Sequence, residues 1–126
     1  MSAYSPDQTW WQRLFAAIDA RDAVAFSALL TSTARFRFGN APVVIGTAAI
    51  TAAVGGFFSS IAGCRHALLR TWSGADAVGC EGTVTYTRHD GTAVTVPFAN
   101  CFELSGPLIS DYRIYIDNSP LMAPAQ

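Results

Sequence analysis

The hydrophobic positions near the start of the chain recur with the period of a helix. They lie at i, i+3, i+4 and i+7 and so form one stripe: Trp11, Leu14, Phe15 and Ile18. Upstream, Ser5, Pro6 and Gln8 fit the N-cap, N1 and N3 positions of a capping box, because the hydroxyl and the amide can each satisfy a free backbone N–H. The pattern predicts an amphipathic helix that begins at Ser5.

Two more helices are predicted before residue 64. Asp22 has the residue type of an N-cap, and three apolar side chains after it would face inward: Phe26, Leu29 and Leu30. Thr47 is the predicted cap of the third helix, which Gly63 ends. The apolar side chains of that helix are Ile50, Val54, Phe57, Phe58 and Ile61.

Between the second and third helices the hydrophobic period changes to two. Phe36 and Phe38 alternate with arginines, as in a half-buried strand, and the segment 39–42 is rich in turn residues. A short strand over 43–45 returns. This part of the chain therefore predicts a small hairpin.

The second half of the chain has the composition of a sheet. Four β-rich runs are separated by short turns with glycine, and they cover residues 64–72, 77–88, 92–104 and 108–117. Neighbouring runs this close in sequence favour an antiparallel meander. The sequence thus predicts an α+β fold in one domain over residues 1–126, with an ordered core of about 5–119.

Composition narrows the functional classes. The chain of 126 residues is 51% hydrophobic and 13% charged, with a formal net charge of −1, so a packed core is expected and disorder is not. Its eight cationic side chains are scattered arginines, which disfavours nucleic-acid binding. Without lysine there is no Schiff-base chemistry, and without a glycine fingerprint no nucleotide site is expected. We predict no cofactor.

The cysteines and histidines do not form a recognisable metal motif. Cys64, Cys80 and Cys101 are an odd set without CxxC spacing, and the two histidines are far apart in sequence. We therefore expect reduced thiols and no metal. The sequence shows neither an export signal nor an apolar run of about 18 residues, so we expect a cytoplasmic protein without a membrane partner.

Several segments resemble a known superfamily over nearly the whole chain. The order of elements is that of the nuclear-transport-factor-2-like superfamily, and the last strand closely resembles SnoaL-like (polyketide-cyclase-like) members in LISDYRIYIDNSPL. Similar too are IDARD, ARFRFG, IGTAAI and EGTVTYTRHDG. The resemblance implies three helices packed on a curved antiparallel sheet, a conical cavity for a small apolar molecule, and a homodimer through the convex sheet face. The row Arg113, Tyr115 and Asp117 suits such an interface.

The catalytic residues of two related enzyme groups do not carry over. By the pattern of ketosteroid isomerases, the general base would fall near Phe36, and the two oxyanion-binding groups near Leu14 and at Asn100. By the pattern of limonene-epoxide hydrolases, the arginine and two aspartates would fall at Glu81, Thr83 and Ile114. The resemblance therefore predicts the fold and not either activity.

The register of the central hairpin suggests a polar site. If 90–91 is a two-residue hairpin loop, Glu81 lies opposite Asn100 on a face that is otherwise apolar. Desolvation would raise the pKa of that carboxyl toward acid/base work, and the amide could polarise a substrate oxygen. A β-bulge would instead turn Glu81 into solvent.

Two more residues are candidates for catalysis. His66 comes within reach of Glu81 at one loop length and is a structural histidine at another. The Tyr112 hydroxyl either enters the cavity or lies at its rim. Aromatic and neighbouring side chains either line the cavity or fill it: Trp11, Leu14, Phe15, Phe36, Phe38, Phe58, Trp72, Thr83, Phe98, Phe102 and Ile114.

Two functions are consistent with these residues. The first is a protein that binds a small, mainly apolar metabolite and catalyses a cofactor-independent acid/base step such as isomerisation, cyclisation, dehydration or hydrolysis. The second is a non-catalytic binding or dimerisation module. An inward Glu81 favours the first function, and an exposed Glu81 favours the second.

Overall fold

Helices and strands follow the predicted order along the chain. The computed structural model describes residues 4–75 and 77–123. The first half contains α1 (Gln8–Asp19), α2 (Ala23–Ser27), β1 (Leu30–Phe38), β2 (Val44–Ile45) and α3 (Thr47–Ser59). The second half contains β3 (Gly63–Ser73), β4 (Val78–Thr87), β5 (Ala93–Ser105), β6 (Leu108–Ile116) and a short α4 (Ser119–Met122).

Six strands form one curved sheet in the order β2-β1-β6-β5-β4-β3. The second-half strands form the predicted antiparallel meander, whereas β1 joins β6 in parallel. Periodicity reveals a strand but not its partner, so the β1–β6 pairing could not be predicted from it. The α+β fold class is confirmed, with a fourth helix that the sequence analysis did not expect.

Helix caps agree with the sequence in part. The Asp22 carboxylate accepts a hydrogen bond from the Ala25 N–H and caps α2, as predicted. For α1 the cap is Asp7, which binds the Trp10 N–H, and the predicted Ser5 cap is wrong. Either residue type can cap a helix, and the carboxylate has the stronger charge-assisted bond.

The helix boundaries near residues 28–63 also differ from the prediction. The α2 helix ends before Leu30, which opens β1 as a buried residue. The N-cap of α3 is Gly46 at φ +92°, a left-handed conformation that favours glycine. Thr47 is the first helical residue, and its hydroxyl donates to the Thr31 carbonyl oxygen.

The turn between β4 and β5 has three residues instead of two. The Arg88 N–H donates to the Thr92 carbonyl, and His89, Asp90 and Gly91 form the loop, with Gly91 at φ +89°. The predicted register is therefore off by one residue. Cys80 lies opposite Asn100, and Glu81 lies opposite Ala99.

The helices cover one face of the sheet, called here the inner face. Helix α1 packs on β3, α3 packs on β1 and β2, and α2 packs between α1 and α3. Residues of β4 and β5 that face the helices are almost all apolar, and the described buried residues include one polar side chain, Asn100. Within the described residues, no helix combines the length and hydropathy needed to cross a membrane.

Candidate functional site

A cavity of about 190 Å³ lies between the helices and the inner face of the sheet. Its walls come from α1, α2, α3 and all six strands, and they are mainly apolar. Five residues predicted to be in contact with a ligand line it: Phe36, Phe38, Phe58, Phe98 and Ile114. Ala41 and Pro42 in the β1–β2 turn line it as well and are exposed, so the cavity opens beside that turn.

The other predicted contact residues lie elsewhere. Four of them are buried in the core and are not among the lining residues: Trp11, Leu14, Phe15 and Phe102. Two are exposed on the opposite, outer face of the sheet: Trp72 and Thr83. The Trp72 ring covers Gly79 there. For these six positions the structure does not support ligand contact.

Glu81 is on the outer face and does not meet Asn100. Its Oε1 atom lies 2.6 Å from the Arg70 Nε atom, in an ion pair exposed to solvent. The three-residue turn shifts β4 by one position relative to the prediction, and a one-residue shift moves every side chain to the other face. The predicted Glu81–Asn100 site is therefore wrong.

A different carboxylate, Asp19 at the end of α1, meets His66 of β3. The distance from Asp19 Oδ1 to His66 Nδ1 is 2.6 Å, and Asp19 Oδ2 accepts a 3.0 Å hydrogen bond from the His66 backbone N–H. An ionised carboxylate only accepts hydrogen bonds, so Nδ1 carries the proton in this pair. His66 Nε2 makes no hydrogen bond to the described residues and keeps its lone pair in the neutral ring.

The His66 ring is held between two aromatic side chains at the cavity wall. Its centroid lies 4.8 Å from that of Phe15 and 5.1 Å from that of Phe98. One hydrogen bond from the ring to Asp19 and two aromatic contacts fix the orientation of the imidazole.

Cys64 lies beside this pair. Its Sγ atom is 3.7 Å from Asp19 Oδ1 and 3.8 Å from His66 Nδ1. Burial, followed by the negative charge of Asp19, raises the pKa of the Cys64 thiol to about 12. The thiol is therefore neutral at ordinary pH and is a poor nucleophile.

Asp19, Cys64 and His66 have the atom types of metal ligands, and their ligand atoms lie within 4.8 Å of one another. The 2.6 Å separation between Asp19 and His66 is the length of a charge-assisted hydrogen bond. Two ligands of one tetrahedral zinc ion, at about 2.0–2.1 Å each, lie about 3.3 Å apart. The arrangement therefore fits a shared proton better than a shared ion.

Asn100 and Tyr112 are two further polar residues of the lining, beside Tyr86. The Asn100 amide and the Tyr112 phenol both line the cavity and are almost wholly buried. Burial above all, with smaller effects from neighbouring acidic groups, raises the pKa of Tyr112 well above its usual value. Tyr112 thus remains a neutral hydrogen-bond donor.

Sequence reasoning placed His66, Asn100 and Tyr112 among the candidates but missed Asp19. The available signal was the position of Asp19 four residues after Phe15 at the edge of the apolar stripe of α1. Its partner lies 47 positions away in sequence. Only the packing of α1 on β3 brings the two together.

Comparison with known protein families agrees with the fold. The profile of the SnoaL-like domain family matches residues 11–112, well over half of the chain. No curated protein sequence matches the chain.

Solved structures with the same fold are distant in sequence. An NTF2-like protein of unknown function from Burkholderia pseudomallei has a TM-score of 0.80 at 16% identity, covering 90% of this chain and 92% of that one. A provisionally assigned SnoaL-like polyketide cyclase from Jannaschia has a TM-score of 0.80 at 19% identity, covering 99% and 100%. A hypothetical protein with a ketosteroid isomerase-like fold from Catenulispora acidiphila, in complex with trimethylamine, has a TM-score of 0.78 at 15% identity, covering 87% and 86%. At these identities the likeness concerns the fold alone.

Proposed function

Because the chain belongs to the SnoaL-like family, whose members share a fold more than an activity, we propose a function from the site itself. The protein binds a small, mainly apolar molecule in the cavity and catalyses a cofactor-independent proton transfer on it. The observation that carries the proposal is the 2.6 Å hydrogen bond from His66 Nδ1 to Asp19 at the cavity wall.

His66 is the proposed general base. The Asp19 carboxylate holds the proton on Nδ1, which leaves the Nε2 lone pair free to take a proton from the bound molecule. The resulting imidazolium has a carboxylate at 2.6 Å. Asp19 is then a positioning residue that stabilises the charged intermediate without touching the substrate.

Tyr112 is the proposed electrophile for the same step. When a proton leaves the carbon next to a carbonyl group, negative charge develops on the carbonyl oxygen. A buried phenol that remains protonated can donate to that oxygen. Return of the proton from His66 to a different atom completes an isomerisation. In a cyclisation, the enolate carbon attacks a second carbonyl of the same molecule, and the alkoxide that forms takes the proton back from His66.

The exposed position of Glu81 removes one reason to expect an enzyme. With Glu81 as the only candidate base, a binding module would be the better proposal. The Asp19–His66 pair supplies another base, within a cavity that has room for a ligand. This pair favours the enzyme over the module.

Exchange of hydrogen for deuterium tests the proposed base without knowledge of the natural substrate. We suggest small cyclic ketones, cyclohexanone and 1-indanone, incubated with the protein in heavy water and followed by proton NMR. The protein should speed the loss of the proton next to the carbonyl group, and His66→Gln should reduce that rate by at least about 100-fold.

His89 provides a matched control. It lies in the exposed β4–β5 turn, where its Nε2 atom is 2.9 Å from the Ser59 carbonyl oxygen. His89→Gln should leave the exchange rate unchanged. Equal rates in wild type and His66→Gln, or no exchange above buffer with either ketone, would favour the binding module.

We also propose a homodimer through the outer sheet face. Tyr115 is 60% exposed there, next to Arg113, and Trp72 is exposed on the same face. Exposed aromatic and arginine side chains are typical of interfaces. Light scattering at micromolar concentration should give twice the chain mass, and Tyr115→Glu should give the monomer mass. A wild-type monomer at that concentration would overturn the dimer.

A further inference from the structure

One buried polar atom of a residue that lines the cavity lacks a hydrogen-bond partner among the described residues. Asn100 is 2% exposed, and its Oδ1 atom makes no hydrogen bond among the described residues. Burial raises the pKa of the Cys80 thiol, which lies opposite Asn100, to about 12, and hydrogen bonding from the backbone and side chain of Asn100 opposes that rise. A buried carbonyl oxygen without a donor is unfavourable, so the bound molecule is expected to supply the donor.

The cavity offers no counter-ion to a charged ligand. Its titratable lining residues are Cys64, His66, Tyr86 and Tyr112, and no arginine is among the described residues that line it. A carboxylate or phosphate buried here would lose its hydration without gaining an ion pair to a permanent cation. The walls therefore disfavour a buried anion, and their mainly apolar surface favours an uncharged molecule.

The volume limits the size of the ligand. A cavity of about 150 Å³ lined by apolar side chains holds one benzene molecule. The present cavity of about 190 Å³ is somewhat larger. It suits one ring with small substituents, about seven to ten non-hydrogen atoms in total.

We infer that the ligand is an uncharged cyclic alcohol, phenol or enol whose hydroxyl group donates to Asn100 Oδ1. The inference rests on the proposed function only in treating this cavity as the ligand site. It names a class of ligand, and Asn100 becomes the residue that selects hydroxylated molecules over hydrocarbons of the same shape.

Three probes of nearly equal shape test the inference by calorimetry. They are p-cresol, which has a hydroxyl donor, p-xylene, which has a methyl group instead, and p-toluate, which is charged. Asn100→Leu should lower the affinity for p-cresol by about tenfold, because the loss of one hydrogen bond corresponds to about a tenfold change in affinity. The affinity for p-xylene should stay the same or rise. p-Toluate should bind at least about tenfold more weakly than p-cresol to wild type.

The inference would be overturned if Asn100→Leu changed the affinities for p-cresol and p-xylene equally. It would also be overturned if p-toluate bound to wild type more tightly than the other two probes. If Asn100→Leu does not fold, 4-methylanisole replaces the variant, since its methoxy group accepts but cannot donate. Wild type should then prefer p-cresol to 4-methylanisole by about tenfold, and equal affinity would contradict the inference.

The same probes separate this inference from the proposed catalysis. His66→Gln should retain the preference of wild type for p-cresol over 4-methylanisole while it loses ketone exchange. A protein that prefers p-cresol but exchanges no ketone proton would contradict catalysis and support the ligand class. Exchange that depends on His66, without any preference for the hydroxyl group, would do the reverse.

Discussion

On each face of the sheet, one carboxylate lies beside a basic side chain. The two pairs have the same separation and different surroundings. Asp19 and His66 meet at 2.6 Å on the inner face, with side chains 27% and 10% exposed. Glu81 and Arg70 also meet at 2.6 Å, on the outer face, with side chains 38% and 67% exposed. Water and salt screen the outer pair, and neither Glu81 nor Arg70 is among the residues that line the described cavity. The distance between two charged groups therefore says little about their function without their burial.

The largest difference that we expect between the two faces is in the labelling rates of the cysteine thiols. Burial raises the pKa of Cys64 and of Cys80 on the inner face from 9.0 to about 12. At pH 8 the folded protein should thus hold about 1000-fold less thiolate at each than the unfolded chain, and iodoacetamide labelling followed by mass spectrometry should slow in proportion. Their labelling should speed about tenfold per pH unit until the pH approaches 12.

Cys101 is the control thiol. It lies half-buried on the outer face, where Arg113 Nη2 donates to its Sγ atom at 3.6 Å. At low protein concentration, Cys101 of the folded protein should be labelled at a rate within about tenfold of that in the unfolded chain. Equal labelling of Cys64 and Cys101 in the folded protein would contradict the difference in burial between the faces.

Substitution of two glycines of β4 by alanine tests how well their surroundings accept an added methyl group. A Cβ at Gly82 would overlap the backbone carbonyl of Ala67, where β3 bulges, and the backbone cannot yield cheaply. Gly82→Ala should lower the free energy of unfolding by about 3 kcal/mol in urea titrations. A Cβ at Gly79 meets only the ring of exposed Trp72, which can turn away, so Gly79→Ala should cost under about 1 kcal/mol. If both variants lost the same free energy of unfolding, the Trp72 ring would be held as firmly as the Ala67 backbone.

Removal of each carboxylate should give the smallest difference in stability. Asp19→Ala leaves the His66 backbone N–H and imidazole without their acceptor, which should cost about 1–3 kcal/mol. Glu81→Ala breaks an exposed ion pair and should cost about 0–1 kcal/mol. Thermal unfolding of both variants measures the difference, and a larger loss for Glu81→Ala would reverse the comparison.

Local patterns in the sequence were sufficient to predict the elements and the family. The alternation of Phe36 and Phe38 with arginines identified β1, and turn residues separated the later strands at nearly their observed bounds. These signals act over a few residues, within one strand or one turn. The SnoaL-like resemblance, which rests on the order of these elements and on the segment LISDYRIYIDNSPL, is confirmed.

The site depended on longer-range features that the sequence does not fix. One extra residue in the turn at His89, Asp90 and Gly91 moved Glu81 to the outer face, because Gly91 can adopt a positive φ that closes a three-residue loop. The inner base pair required α1 to pack so that Asp19 reached His66. Neither event leaves a periodic pattern, so the fold was easier to predict than the chemistry.

The most direct test of the inner pair is the ketone exchange rate in Asp19→Asn beside Glu81→Gln. Both variants replace a carboxylate with an amide of the same shape. Asp19→Asn should lower the rate of exchange of 1-indanone by at least about tenfold, because the amide neither fixes the His66 tautomer nor stabilises its charged form. Glu81→Gln should keep the rate within about twofold of wild type. A full rate in Asp19→Asn, or a loss confined to Glu81→Gln, would contradict the assignment of the chemistry to the inner face.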